Sequence, residues 1–351
     1  MPASILESER QVLIALIELA EPMETPNNTH YTFYPKTMEE AAAYFLPFRE
    51  DWAPAFTSLC ARGLLRPAAG GYELTSTGAA LSRQERLDHP PIWYWYRAYY
   101  SMTASSKVYS RFCTELYGRD LCQTDFSDMA QIEMLLQAAQ LKPGDRVLDL
   151  GCGSGLFAEY ISDRTGARVW GVDYIPEAIQ LAQQRTASKR DRLDFRTGNF
   201  DHLDYFPQSF DLLVSIDTLY MPNNLPASLQ VLNSLLAPGG RMLILYLTIL
   251  FDPNQPRAVL QPDNTDLARA LQQVKLPYRT WDLSESTFHL MRRKHALAQA
   301  MRADFEVEGT LFLYNHLIAE SDSSTIPYNP QIVALRSELF CLWKYVGHLL
   351  S

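Results

Sequence analysis

The sequence predicts an α/β protein: a parallel sheet covered by helices on both faces, preceded by a smaller, mostly helical unit. Three observations carry this. Short apolar strands alternate with helical stretches from about residue 141 to 248; a glycine loop, GCGSG at 151–155, joins the first strand to the first helix; and the first ninety residues read as helices around one short hairpin. The 351 residues exceed one ordinary core and suit one large domain plus a smaller one.

The elements follow in order. After the LKPGD turn, Arg146 to Leu150 is a buried strand, and SGLFAEYISDRTG opens a helix from the loop. ARVWGVD (167–173) is a strand, PEAIQLAQQRTA a helix with proline in its first turn, RLDFRTGN a strand and FDLLVSID (210–217) another. LPASLQVLNSLLA is a helix and GGRMLILYLT a strand. In such a sheet ligands bind at the carboxyl ends of the strands, where Asp149, Asp173, Asn199 and Asp217 fall. Ahead of the sheet, ESERQVLIALIELA, TMEEAAAYF and WAPAFTSLCARGLL are helices, and LLRPAAGGYELTSTGAAL is a two-stranded wing turning at Gly70 and Gly71 before another helix. That unit resembles a winged helix. QIVALRSELFCLWKYVGHLL, near the end, reads as an apolar-faced helix.

Composition narrows the function. The chain is 47% hydrophobic and 20% charged, and 40 acidic against 31 basic residues give a net charge of −9, which argues against a general binder of nucleic acid or anionic membranes. Residues 1–88 carry 7 basic and 12 acidic side chains, a difference of −5, and the expected recognition helix opens with Glu50 and Asp51, so DNA phosphates are repelled. Cys60, Cys113, Cys122, Cys152 and Cys341 form no CxxC pair and are expected to be reduced, in the cytoplasm. No leader or membrane segment is expected, the longest apolar run, MLILYLTILF, being too short to span a bilayer. The scattered histidines, among them His202, His289, His295 and His316, have no metal-binding spacing, so no metal is expected.

The loop fails two nucleotide patterns. A dinucleotide fingerprint counted from Gly151 needs glycine where Leu156 stands, and no GK[ST] follows for a phosphate loop. No lysine or arginine lies between Arg146 and Arg164, while Asp149 and Asp173 bring negative charge to the strand ends. The expected ligand has a ribose, held by the two oxygens of Asp173, and no phosphate, which points to an adenosyl group. Taken singly, each aspartate could merely cap a helix; side by side at successive strand ends, they indicate a ligand.

VLDLGCGSG, GVD at 171–173, GNF at 198–200, SIDTLY at 215–220 and LAPGGRMLILY at 236–246 together resemble class I S-adenosylmethionine-dependent methyltransferases, over roughly residues 105–320. The resemblance implies a Rossmann-like seven-stranded sheet with an antiparallel last strand, its final strands supplied by DFEVEGTLFLYNHLIAE (304–320). It also implies S-adenosyl-L-methionine as cofactor and S-adenosyl-L-homocysteine as product. By that resemblance the backbone of Gly151, Gly153 and Gly155 lies against the cofactor, Asp149 helps hold its methionyl end, Asp173 its ribose, Tyr174 flanks the adenine, Asn199 bonds its amino group and Phe200 packs nearby. Asp217 completes the set at the fourth strand end. Many members have aspartate where this chain has Asn199. The segment 109–131 is similar to the helix and loop that close over the cofactor in members acting on small molecules, with Tyr109, Tyr117 and Gln123 as contacts.

A sulfonium methyl is already an electrophile, so alignment and exclusion of water are the protein's main tasks, and no unambiguous general base is found. The expected reaction is methyl transfer to nitrogen, oxygen or an activated carbon of a small molecule, in specialised metabolism. Tyr220, Trp281, Trp95 and Tyr99 are the acceptor-site candidates, although the aromatic run PPIWYWYRAYY (90–100) suits an inter-domain packing helix somewhat better than an acceptor pocket. The implied domains are 1–90, winged-helix-like, for dimerisation or as a lid; 91–130, connecting helices closing over the cofactor; 131–322, the core with an insertion at about 248–290; and 323–351, a helical tail. A homodimer is expected. The alternative is a winged-helix transcriptional regulator whose methyltransferase-like domain senses a metabolite.

Overall fold

The computed structural model describes residues 5–21, 36–43, 45, 48–124, 126–200, 202–250, 256–324, 328–329 and 333–344. The chain divides into two compact units, Met1–Tyr99 and Tyr100–Ser351. The division falls inside a helix, α5.

In the first unit α1 (Glu7–Ala20) is followed by α2 (Met38–Ala43), α3 (Ala53–Ala61), the antiparallel hairpin β1 (Leu65–Ala68) and β2 (Gly71–Leu74), α4 (Ser76–Asp88) and the start of α5 (Pro91–Thr103). Val12, Leu13 and Ile14 of α1 pack with Ala41, Phe45, Trp52, Leu59, Leu65 and Tyr94 in one core. The hairpin turns where the sequence placed it, with Gly70 at φ +92°. Gln11 organises the interior from α1, accepting from Trp52 Nε1 at 3.0 Å and donating to the Phe48 carbonyl at 2.9 Å.

The entry to α4 is unusually close to the preceding chain. Thr75 caps the helix by accepting from the Gly78 N–H at 3.1 Å, and an ideal Cβ on Gly78 would sit 1.9 Å from the Leu64 carbonyl oxygen. Backbone cannot yield as a side chain can, so Gly78→Ala is expected to destabilise this unit by about 3 kcal/mol, as overpacking does. Urea unfolding followed by tryptophan fluorescence checks this; a change under about 0.5 kcal/mol, as at an unremarkable surface site, would contradict the tight α4 entry.

The second unit is built on a seven-stranded sheet, β5 (Leu193–Thr197), β4 (Arg168–Asp173), β3 (Arg146–Leu150), β6 (Phe210–Ile216), β7 (Leu236–Ile249), β9 (Leu335–Trp343) and β8 (Tyr278–Asp282), in that spatial order. β5 through β7 are mutually parallel; β9 runs antiparallel to β7 and to β8. Strand order reverses between β3 and β6, which opens a crevice at their carboxyl ends. Helices α8 (Leu156–Thr165), α9 (Pro176–Arg185) and α10 (Leu225–Leu235) make the crossovers. Val147, Leu212, Val214 and Leu243 face one core and Leu148, Leu213, Met242 and Ile244 the other, so the central strands are buried on both sides and read as continuous apolar runs.

The expectations for the last third are corrected. Residues 304–320 supply no strand: they complete α12 (Ser284–Glu308) and form most of α13 (Leu311–Ser321). The closing strands are β8, inside the segment taken as an insertion, and β9, inside the segment taken as a helical tail. β9 pairs on both sides, and its nine residues are a run that periodicity cannot tell from a buried helix. The end of that expected tail, 345–351, lies outside the described residues. Two further helices, α6 (Lys107–Tyr117) and α7 (Met129–Ala139), precede β3, and α11 (Asp266–Gln273) precedes β8. Among the described residues no helix is long and apolar enough to cross a membrane.

Candidate functional site

Beyond Leu150 the chain turns through Gly151, Gly153 and Gly155, whose φ angles of +73°, +52° and +74° side-chain-bearing residues rarely adopt. The N–H groups of Gly151 and Cys152 both donate to the Val172 carbonyl, at 2.8 and 3.1 Å, pinning the loop to the end of β4. The space a Cβ would need is taken: Thr218 Cγ2 lies 2.4 Å from its position on Gly151, the Tyr100 hydroxyl 2.5 Å on Gly153, and the Phe195 ring 2.6 Å on Gly155. Bare backbone is what lets three neighbouring side chains close on the loop.

Two carboxylates stand beside it. Asp173, at the end of β4, is 5% exposed; its Oδ2 accepts from the Gly153 N–H at 2.8 Å and its Oδ1 from the Ile175 N–H at 2.9 Å. Each carboxylate oxygen keeps a further lone pair for a ligand hydroxyl. Burial raises its pKa to about 6, with backbone N–H groups of Ile175, Gly153 and Tyr174 pulling the other way. Asp149, one residue before the end of β3, is 3% exposed, and its Oδ2 has no hydrogen-bond partner among the described residues. Burial, then the charge of Asp173, raises its pKa to about 8. An unpartnered buried carboxylate oxygen is costly and needs an explanation.

The remaining strand ends contribute less directly. Asp217, just past β6, has φ +49°, donates its N–H to Leu245 at 2.9 Å and accepts the Phe126 N–H at Oδ2, 3.5 Å. Tyr220 meets Tyr246 edge-on at 6.5 Å between ring centroids, and both Tyr220 and Phe200 pack against the core of that face. Tyr174 follows Asp173 and is half-buried. Asn199 forms an isolated bridge with His202.

Tyr109 and Gln123 are brought together: the Tyr109 hydroxyl donates to the Gln123 carbonyl at 2.7 Å, while the Gln123 side chain accepts from Leu121 N–H at 2.8 Å and donates to Arg119 at 3.3 Å. Tyr117 is buried on α6. Trp95 and Tyr99 stack 5.5 Å apart within the first unit. Trp281 lies on the edge strand β8, separated from β3 by β6, β7 and β9, roughly 19 Å at ordinary strand spacing, and is not brought to the loop.

Sequence reasoning assigned no contact with the loop to Tyr100, Thr218 or Arg185. Thr218 bonds the Leu150 carbonyl at 2.8 Å. Arg185, on α9, donates to the Ser154 carbonyl at 2.7 Å and is paired with Glu159 at 2.8 Å, so this cation is committed to a carbonyl and a carboxylate. Tyr100 lies in the aromatic run 90–100 and Thr218 in SIDTLY, but no local pattern marks the approach of any of the three to the loop, since each reaches it from another element. Among the described residues no group of three or more histidine, cysteine or acidic side chains is placed to hold a metal.

Residues 141–295, less than half of the chain, match the family described as methyltransferase domain. The chain is 32% identical over 115 residues to the methyltransferase GfsG of Streptomyces halstedii, covering 32% of this chain and 41% of that protein. It is 36% identical over 104 residues to a ubiquinone biosynthesis O-methyltransferase of Xanthomonas campestris pv. campestris (strain B100), covering 29% and 43%. The match thus spans less than half the length of these relatives. Among solved structures, Haemonchus contortus phosphoethanolamine N-methyltransferase 2, in complex with phosphomonomethylethanolamine and S-adenosylhomocysteine, superposes with a TM-score of 0.54 at 16% identity, covering 71% of this chain and 60% of that one. That likeness shows the fold, a Rossmann-like methyltransferase sheet.

Proposed function

We propose that this chain transfers the methyl group of S-adenosyl-L-methionine to a small-molecule acceptor, releasing S-adenosyl-L-homocysteine. The observation that carries the reading is the unpartnered Oδ2 of Asp149, buried beside a bare glycine loop and next to Asp173. The residues fit the cofactor. Asp149 would hold the ammonium of the methionyl end, the second lone pairs of Asp173 would take the ribose hydroxyls, and Tyr174, Asn199 and Phe200 would surround the adenine. Bound there, the cofactor supplies a methyl already activated by positive sulfur. The chain's part is to position the acceptor and keep water from the strand ends. Asp217 ties the segment before α7 to the end of β6 through Phe126, and Tyr109 and Gln123 brace that segment, so both tasks fall to it. Tyr220 is the proposed acceptor contact; the position of Trp281 gives it no support in that role, and the assignment of Trp95 and Tyr99 rests on the sequence alone.

The hairpin and helices of the first unit support a winged-helix reading, and its acid excess favours dimerisation or a lid over DNA binding. The five unbridged cysteines agree with a reducing, cytoplasmic setting. A panel of amines, phenols and activated-carbon metabolites, screened for release of S-adenosylhomocysteine, tests the activity: turnover of one class is expected. No turnover, together with tight sequence-selective DNA binding in a mobility-shift assay, would instead identify a regulator.

A further inference from the structure

Lys294, in the middle of α12, is fully buried, although lysine is among the residues least often found inside. Each of its three N–H donors has a destination: Glu320 Oε2 of α13 at 2.5 Å, the Thr124 carbonyl at 3.3 Å, and the face of Phe126, whose centroid lies 4.6 Å from Nζ. Glu320 also pairs with His316 at 3.1 Å. Burial alone would push the Glu320 carboxyl up, but His316 and Lys294 beside it bring it below the ordinary carboxylate range, so Glu320 faces Lys294 as a carboxylate.

Two of the three contacts of the ammonium are to the stretch that leads to Asp217, for it is Phe126 that donates its N–H to that carboxylate. The rest of α12 grips the same stretch. Glu308, at its C-terminal end, accepts from the Lys107 and Val108 N–H groups at 2.8 and 3.2 Å and so caps the start of α6. Arg293 donates to the Leu116 carbonyl in the last turn of α6 at 2.6 Å. One long helix therefore holds α6 at both ends and the following loop at Thr124 and Phe126. Apolar side chains of similar volume commonly serve stability as well as a buried ion pair does, so the directional contacts of Lys294 are better accounted for by what they position.

We infer that Lys294, paired with Glu320, is a positioning residue that fixes residues 118–124 and Phe126 over the carboxyl end of β6 and thereby retains the bound nucleoside. The inference rests on the cofactor reading above only in its second half; the ordering of the loop is a property of the ligand-free protein.

The test uses the full-length protein with Lys294→Met, and Lys294→Met/Glu320→Gln so that no carboxylate is left unpaired. Hydrogen exchange of the ligand-free proteins reports the amides of 118–124, with those of β3 and α8 as the internal control, and stopped-flow chase reports S-adenosylhomocysteine dissociation. Expected are loop exchange at least 10-fold faster with control amides unchanged, a melting temperature within a few degrees of wild type, and dissociation about 10-fold faster. Folded variants with wild-type loop exchange, or with faster exchange but unaltered dissociation, overturn the inference. Variants that both unfold also overturn it, since the pair would then be a core element. Failure of the wild-type protein to bind S-adenosylhomocysteine would count against the cofactor reading instead, leaving the exchange result to decide the loop.

Discussion

Asp173→Ala is expected to weaken S-adenosylhomocysteine binding at least 100-fold and to lower stability by about 2–5 kcal/mol. Both effects come from one carboxylate. Its removal takes away two charge-assisted bonds proposed for the ribose, each worth about 1.5–3 kcal/mol. It also orphans the Gly153 and Ile175 N–H groups, each at about 1–3 kcal/mol when left buried without a partner. Asp173→Asn separates the two: its amide oxygen keeps one backbone bond while its NH₂ faces the other donor, so intermediate stability and still poor binding are expected. Calorimetry gives the affinities and urea melts the stabilities. Unchanged affinity in a folded Asp173→Ala protein would remove the ribose assignment.

The second large effect concerns Asp149 and has a definite sign. Its pKa in the native ligand-free protein is raised to about 8, from an ordinary carboxylate value near 4, by burial and then by Asp173. Between those values the native state holds a proton that the unfolded chain has released, so stability is greatest below about pH 4 and falls as pH rises through about 8. Asp173, raised to about 6 by burial, adds loss in the same direction over the lower part of that window. Asp149→Asn removes the larger share. The variant is expected to match or modestly trail wild type at pH 4–5 and to exceed it by about 2–5 kcal/mol at pH 8.5, at about 1.4 kcal/mol for each tenfold in proton affinity. Its binding of S-adenosylhomocysteine should fall at least 10-fold, because an amide cannot neutralise an ammonium. Urea melts of the ligand-free proteins at pH 5, 7 and 8.5 measure the first point. A stability difference that does not grow with pH would mean that Asp149 is ionised at little cost and is not waiting for a cation.

The glycine loop, the helix after it and strands β3, β4 and β6 were legible because local rules agree there: apolar runs of strand length, a turn that only glycine accepts, and a helix at once beyond it. The hairpin at Gly70 and Gly71 was legible for the same reason. The last third was not. β9 is central, apolar on both faces and reached only after three further helices, so its partner strand β7 lies about ninety residues earlier and no local signal names it. LFLYNHLIAES could be strand or helix by composition; α13 forms because its Leu313 and Leu317 faces are buried and α12 offers a packing surface. At the site, Asp149 and Asp173 could be found from their place at strand ends, whereas Tyr100, Thr218 and Arg185 act through space. Tyr109 and Gln123 illustrate the converse: the sequence located the segment, but the structure shows their visible bonds directed at one another and at their own loop.

Crystals of the wild-type protein grown with S-adenosylhomocysteine test the central claim most directly. The expected density runs along residues 151–155, with both ribose hydroxyls within hydrogen-bonding distance of Asp173 and the ammonium against Asp149. An empty crevice at millimolar ligand, or preferential occupancy by a pyrophosphate-containing nucleotide, would contradict the account.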